Sequence, residues 1–120
     1  MLCWDGSRTA ARAAADALPF LTRAKAIEIF IVETGKLKSD ESPGTDIASH
    51  LARHDLNVSV ERTVAGDIDV ASVILSHAAD VGADMLVMGG YGHSRLREFI
   101  LGGVTRAILG SMTVPTLMSH

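Results

Sequence analysis

Cysteine and aromatic residues are scarce in this chain. The only cysteine, Cys3, excludes an intrachain disulfide, so the sequence is not that of a disulfide-stapled secreted scaffold. A single thiol instead predicts a protein of the reducing cytoplasm. Aromatic residues make up 4% of the sequence, and the core is therefore expected to consist of aliphatic side chains.

Positive charge and long apolar runs are also missing. The 11 lysines and arginines are outnumbered by 14 acidic residues, and the net charge of -3 argues against a nucleic-acid-binding surface. No apolar run approaches the roughly 18 residues of a membrane span, so no membrane partner is expected. The segment Met1–Asp5 lacks a basic region and turns polar at once, unlike a secretory signal peptide.

Aliphatic residues and alternating hydrophobic patterns dominate what is present. The chain has 120 residues, 48% of them hydrophobic, which predicts a single folded domain over residues 1–120. Strands are predicted near 1–4, 26–32, 57–64, 84–88 and 114–118, and helices near 8–18, 46–54, 66–82 and 104–110. This alternation predicts an α/β fold with a parallel sheet and helices on both of its faces.

Three details of this pattern lead to further expectations. The polar stretch 35–45 is expected to be a flexible loop. Pro115 lacks an N–H group, which places the last strand at an edge of the sheet. The first strand is short for a central strand, which suggests either a truncated chain or a trimmed natural start.

A glycine-rich segment follows the predicted strand at 84–88. Gly89, Gly90 and Gly92 allow the backbone to turn sharply and to approach a ligand closely. Gly102 and Gly103 then open a helix, where free N–H groups and the helix dipole favour a phosphate. A plain tight turn is the alternative interpretation of the first three glycines.

The spacing of these glycines separates the segment from other nucleotide-binding motifs. Neither a Walker loop nor a dinucleotide-binding glycine triplet is present. The pattern Gly-x2-Gly-x9-Gly, from Gly89 to Gly102, resembles that of the universal stress protein family. Trp4-Asp5-Gly6-Ser7, Asp84-Met85-Leu86-Val87-Met88-Gly89 and Val114-Pro115 also match this family, so the resemblance covers essentially the whole chain.

The resemblance carries expectations about the fold. It implies an open, five-stranded parallel sheet of the adenine nucleotide alpha hydrolase-like type, with strand order 3-2-1-4-5. Strands 1 and 4 are then neighbours, and ligands of such sheets bind where the strand order reverses. The segments 46–54 and 92–103 look like the C-terminal half of tandem-type family members.

The resemblance also implies an ATP site, with Mg²⁺ arriving bound to the nucleotide. Asp5, Ile31 and Val32 would line the adenosine pocket, and Met88 and Gly89 would border the ribose. The residues implied at the phosphates, or in the loop that covers them, are Gly92, His93, Ser94, Arg95, Gly102, Gly103 and Val104. Family members carry Ser or Thr where this chain has Gly103, and Thr105 is the candidate to replace that hydroxyl.

Two functions from different classes remain open. The first is a stress-response sensor or binding module that holds ATP and is at most a slow ATPase, because no general base or metal-binding carboxylate set is evident. The alternative is a member without a nucleotide that acts through a homodimer. Its interface would be the apolar edge strand Val114–Met118, which a twofold mate would cover.

Other candidate residues have structural explanations. Asp5 is expected to cap the first helix together with Ser7, in addition to contacting adenosine or instead of it. His50 and His54 have a spacing that suits a metal, but no third ligand is evident, so a boundary or interface pair is favoured. Core positions are expected for His77 and Cys3. The methionines expected to fill the core are Met85, Met88, Met112 and Met118.

Overall fold

The computed structural model describes residues 1–34, 44–90 and 103–120. Its five strands are β1 (Leu2–Cys3), β2 (Ile27–Glu33), β3 (Val58–Val64), β4 (Leu86–Gly89) and β5 (Thr116–Ser119). Its helices are α1 (Arg8–Asp16), α2 (Leu18–Leu21), α3 (Thr45–Ala52), α4 (Val70–Val81) and α5 (Gly103–Ser111). Strands and helices therefore alternate, as the sequence pattern predicts.

The strands form one parallel sheet in the order β3-β2-β1-β4-β5. This confirms the expected fold and places β3 and β5 at the two edges. β1 has two residues, but its pairing extends beyond them: Val87 N donates to Met1 O at 2.9 Å, and Trp4 N donates to Phe30 O at 2.9 Å. Hydrogen bonds to both neighbours thus hold this short strand at the centre.

Each face of the sheet carries its own hydrophobic core. On one face, α1, α2 and α3 pack over a core of aliphatic side chains centred on Leu2, Ile29 and Leu51. On the other face, α4 and α5 pack over Phe30 and Ile108. Successive strand residues point to opposite faces, which explains why β2, buried on both, is a nearly continuous apolar run.

Local sequence signals explain most helix ends. Ser7 caps α1 by accepting a hydrogen bond from Ala10 N at 3.1 Å, and Gly82 ends α4 in the left-handed conformation. α1 stops at Asp16, and Pro19 lies in the first turn of the separate helix α2. The start predicted at residue 8 and the end predicted near residue 82 are confirmed, whereas α1 ends two residues before the predicted residue 18.

Several predicted boundaries are wrong. Thr45, expected in the flexible loop, begins α3, whose cap is Gly44 at φ 86°, while Asp46 lies in the first helical turn. β5 begins at Thr116, so Pro115 precedes the strand that it was expected to occupy. Val114 lies before β5 as well. Residues 35–43 of the expected loop lie outside the described residues.

Two expected core residues are in different surroundings. His77 is only partly buried: its Nε2 bonds Glu28 Oε1, and its ring stacks on Phe30 with centroids 4.0 Å apart. Met112 is 45% exposed and fills no core. His77 therefore joins α4 to β2 through a polar contact at the margin of the apolar core.

The N-terminal cap of α4 predicts a pH-dependent stability. Hydrogen bonds from the Ser72 hydroxyl, at 2.7 Å, and from Ser72 N, at 2.9 Å, lower the pKa of Asp69 below its ordinary 3.8. A lowered folded-state pKa stabilises the fold above the unfolded-state value, and this contribution is lost as pH falls through the folded-state value. Urea midpoints should therefore fall more between about pH 5 and about pH 3 in the native chain than in Asp69→Asn. Parallel pH profiles would contradict the prediction.

Candidate functional site at the carboxyl ends of β1 and β4

The strand order reverses between β1 and β4. The chain passes from β1 outward to β2 and β3, and then returns to lay β4 on the other side of β1. In open α/β sheets, such a reversal leaves a crevice outside the carboxyl ends of the two central strands, because the connections leave it in opposite directions. The segments that follow β1 and β4 therefore border the candidate site.

The turn after β1 is held by side-chain hydrogen bonds. Asp5 Oδ1 accepts a bond from Ser7 N at 2.9 Å, and Gly6 between them has a φ of 76°. Ser7 Oγ lies 3.1 Å from Thr9 Oγ1 and caps Ala10 N. Ser7 occupies the cap position of α1, as expected of this residue, whereas Asp5 lies before the cap and stabilises the turn through its bond to Ser7 N.

The end of β4 lies directly against the start of α1. A Cβ atom on Gly89 would lie 2.5 Å from Thr9 Oγ1, 2.6 Å from Ala10 N and 2.7 Å from the Thr9 carbonyl carbon. Real Cβ atoms essentially never come this close, so only glycine allows the strand and helix to pack here. The sequence analysis assigned Gly89 to a ligand and did not identify this packing role.

Gly90, in the glycine segment, contacts the end of β5 and lies near Thr105 of α5. Gly90 N donates to Ser119 O at 2.8 Å, which ties the segment to the end of β5. Thr105 is 4% exposed, and its methyl group lies 3.9 Å from the position of a Cβ on Gly90. Thr105 therefore occupies a buried position between α5 and the sheet.

The two residues expected from β2 lie on opposite faces of the sheet. Ile31 is buried in the core beneath α1 and α3, and a Cβ on Gly44 would come within 2.6 Å of its Cδ1 atom. Val32 is partly buried and packs against the other core, with Phe30 and Met88. One ligand can meet both residues only at the backbone of the strand end, because their side chains diverge.

The start of α5 contributes Gly103 and Val104. Gly103 is exposed, and among residues 1–34, 44–90 and 103–120 no heavy atom lies within 4 Å of the position that its Cβ would take. Val104 packs partly against the core that contains Met88, which is 5% exposed. The described part of the chain therefore leaves Gly103 uncovered, whereas Val104 and Met88 are held by packing.

Several expected site residues lie outside the described residues: Gly92, His93, Ser94, Arg95 and Gly102. In the part of the chain that the structure describes, no three His, Cys, Asp or Glu side chains form a group that could hold a metal ion. Nor is any helix within 1–34, 44–90 and 103–120 long and apolar enough to cross a membrane.

Cys3, the last residue of β1, has a strongly perturbed thiol. Burial raises its pKa to about 12, and Asp5 adds to this increase, while the positive chain terminus opposes it. The thiolate is the nucleophilic form of cysteine, so this residue stays protonated and unreactive at neutral pH. Cys3 packs against the core that contains Phe30, which confirms its expected structural role.

Thr9 is the residue at this site that the sequence analysis missed. Its hydroxyl lies beside both Ser7 and the end of β4. A hydroxyl residue two positions after a helix cap is a local signal, but its contact with β4 spans 80 positions in the sequence. No periodicity or capping rule reports a contact of that length.

Comparisons with known proteins identify the family of this chain and show how much of a relative's length it covers. A family model described as the universal stress protein family matches residues 1–120. The chain is similar to Universal stress protein Slr1230 of Synechocystis, with 27% identity over 94 residues. That alignment covers 76% of this chain and 32% of the relative, so the chain spans about a third of that protein's length.

Solved structures share the fold. A universal stress protein from Archaeoglobus fulgidus superposes with a TM-score of 0.73 at 20% identity, covering 98% of this chain and 95% of that chain. A universal stress protein in complex with cAMP gives a TM-score of 0.65 at 20% identity, covering 99% and 94%. The sheet order and the family match over the whole length lead to one conclusion: the chain belongs to the universal stress protein family.

Proposed function

We propose that this protein is a stress-response sensor or binding module that holds ATP at the carboxyl ends of β1 and β4. The observation that carries the proposal is the meeting of the Asp5 turn, the start of α1 and the end of β4 where the strand order reverses. The family match supports it, as does a structural neighbour that was solved in complex with cAMP.

The packing of the site restricts how adenosine would be bound. Ile31 and Val32 direct their side chains to opposite cores, so the end of β2 would meet the adenosine mainly through its backbone. The side of Gly89 where a Cβ would stand is filled by α1, so Gly89 would border the ribose with its remaining backbone surface. Asp5 would contact the adenosine while keeping its bond to Ser7 N, and Met88 would support the ribose from the core.

The phosphates would lie at the start of α5. Gly103 is exposed, and none of the described residues would obstruct a phosphate that approaches its backbone. N–H groups at the start of a helix favour an anion, and Val104 would offer the next one. The proposed remainder of this subsite comprises Gly92, His93, Ser94, Arg95 and Gly102. Mg²⁺ would enter with the nucleotide and neutralise part of its charge.

Calorimetric titration with Mg-ATP tests the proposal, with AMP as the matched ligand. Micromolar binding of ATP that weakens with AMP would support a triphosphate site. A competing titration with cAMP would show whether the cyclic nucleotide shares the site. Circular dichroism must show a folded sample, and absence of binding to all three nucleotides would then overturn the nucleotide proposal.

Restoring a hydroxyl at the start of α5 should tighten nucleotide binding. Gly103→Ser adds a side chain into open space and offers one more hydrogen bond to a phosphate. Hydrogen bonds to charged groups are worth about 1.5–3 kcal/mol, so Kd for Mg-ATP should fall by roughly tenfold or more. Gly103→Ala is the control, because it adds the Cβ without the hydroxyl. Equal affinities of the two variants would contradict the prediction.

The second candidate function is a homodimer formed through β5. β5 is an edge strand, and the exposed Leu109 and Met112 come shortly before it in the chain. Pro115 O accepts a bond from Leu86 N of β4 at 2.9 Å, and Ser119 O accepts one from Gly90 N, just after β4, at 2.8 Å. Since peptide groups alternate along a strand, those of Thr116 and Met118 would face the open edge and a partner strand.

Sedimentation equilibrium distinguishes this candidate from a monomeric nucleotide-binding module. Thr116→Pro removes an N–H that the alternation turns to the open edge, and it should convert a dimer into a monomer. Thr116→Val keeps this N–H and also loses the hydroxyl, which makes it the matched control. A native chain that is monomeric at all accessible concentrations would exclude the dimer. A native dimer that survives Thr116→Pro would place its interface elsewhere.

A further inference from the structure

His50, in α3, and His54, two residues after its end, form a close pair on the protein surface. His50 and His54 are both exposed, and their ring centroids lie 5.3 Å apart with the ring planes at 72°. Residues four positions apart are neighbours on a helix surface. In the part of the chain that the structure describes, no nitrogen of either imidazole ring has a hydrogen-bond or ion-pair partner.

The backbone holds this pair in place beyond the last residue of α3. Arg53 has helical angles, φ -65° and ψ -16°, and His54 N donates to Leu51 O at 3.0 Å. Leu51 is fully buried in the core, so the turn that carries His54 is anchored to the interior of the protein. The distance between the two imidazoles is therefore set mainly by a rigid element and the side-chain torsions.

The separation of the rings suits a shared metal ion. With metal–nitrogen bonds of about 2.1 Å at a tetrahedral angle, two chelating imidazoles keep their ring centres about 5 Å apart. The observed separation of 5.3 Å lies close to this value, so the two rings are already at a distance compatible with chelation. Asp46 and Asp55 flank the pair in sequence and add negative charge, opposed by Arg53.

We propose that His50 and His54 form a two-ligand site for a divalent transition-metal ion, with water in the remaining coordination positions. Imidazole is a preferred ligand of Cu²⁺, Ni²⁺ and Zn²⁺. Within the described residues, no third His, Cys, Asp or Glu joins the pair. The bound ion is consequently open to solvent and to a further ligand. It links the last turn of α3 to the turn that follows this helix.

Titrations of the full chain with the metal chlorides alone, without nucleotide, test this site. Affinity should be highest for Cu²⁺, as expected for nitrogen ligands. His50→Gln and His54→Gln should each weaken Cu²⁺ binding at least tenfold, because one imidazole remains and chelation is lost. In the native chain, Ni²⁺ should shift or broaden the NMR signals of these two rings before those of His77. Both side chains are exposed, so the variants should keep the fold.

A variant with relocated histidine provides the matched control. Ala52→His combined with His54→Ala keeps the number of histidines, but places the second ring two positions from His50, on a different side of the helix. This double variant should bind Cu²⁺ as weakly as His54→Gln. Native affinity in the double variant, or in both single variants, would mean an adventitious ion only, bound at other groups, and would overturn the proposal.

Discussion

Gly89→Ala should destabilise the domain by about 3 kcal/mol, which corresponds to a decrease in Tm of roughly 10 °C. The added methyl would lie 2.6 Å from Ala10 N and 2.7 Å from the Thr9 carbonyl carbon, and both atoms belong to the helix backbone. A backbone cannot swing aside as a flexible side chain can, so α1 must move away from β4. Urea unfolding at equilibrium measures the loss.

Gly90→Ala is the matched control for this prediction. Among the described residues, the atoms nearest to a Cβ on Gly90 would be 3.9 Å away, at Met118, Ser119 and Thr105, which is ordinary van der Waals contact. Its cost should stay below about 1 kcal/mol. Equal decreases in the free energy of unfolding would show that any side chain in the glycine segment is destabilising, and would contradict the specific role of the contact between Gly89 and α1.

Phe30→Ala should have the largest effect of any single truncation proposed for this protein, about 3–5 kcal/mol. Phe30 is 2% exposed on β2, packs against the core beneath α4 and α5, and carries the ring of His77 on its face. Its removal leaves a cavity that neighbouring side chains fill only in part. A loss of this size is a large share of the total stability of an ordinary domain.

Phe20→Ala provides the comparison, because it removes the same side chain from a different environment. Phe20 is 54% exposed on α2, and its truncation should change the free energy of unfolding by less than about 1 kcal/mol. Both variants are measured by urea denaturation at constant pH. A small loss in Phe30→Ala would mean that the two cores compensate for one another, contrary to the packing argued above.

Sequence reasoning was most accurate for features with a local cause. Pro115 indicates that the last strand lies at an edge of the sheet, and the structure confirms this position. Sequence reasoning was less accurate at element boundaries: the helix predicted from residue 46 begins at Thr45, and Gly44 occupies its cap position. Asp46 has a typical capping side chain, but the cap depends on backbone angles that the sequence does not report.

The candidate site shows a similar division. The resemblance to the family and the glycine spacing identified the carboxyl ends of the first and fourth strands, and the structure brings the Asp5 turn and Gly89 to that place. It also shows that Thr105 is buried, so a replacement of the hydroxyl missing at Gly103 by this residue would require a movement of α5. The binding roles themselves stay predictions.

The sequence by itself determined the kind and order of the elements, the caps at Ser7 and Gly82, and the membership of the family. These follow from propensities, periodicity and motifs, which act between residues close in the chain. Only the tertiary structure decided three features. The absence of a Cβ at Gly89 lets α1 pack against β4, His77 forms a hydrogen bond with Glu28, and each core residue is buried on a particular face of the sheet. Such contacts join segments far apart in sequence, and they exist only once the sheet has brought those segments together.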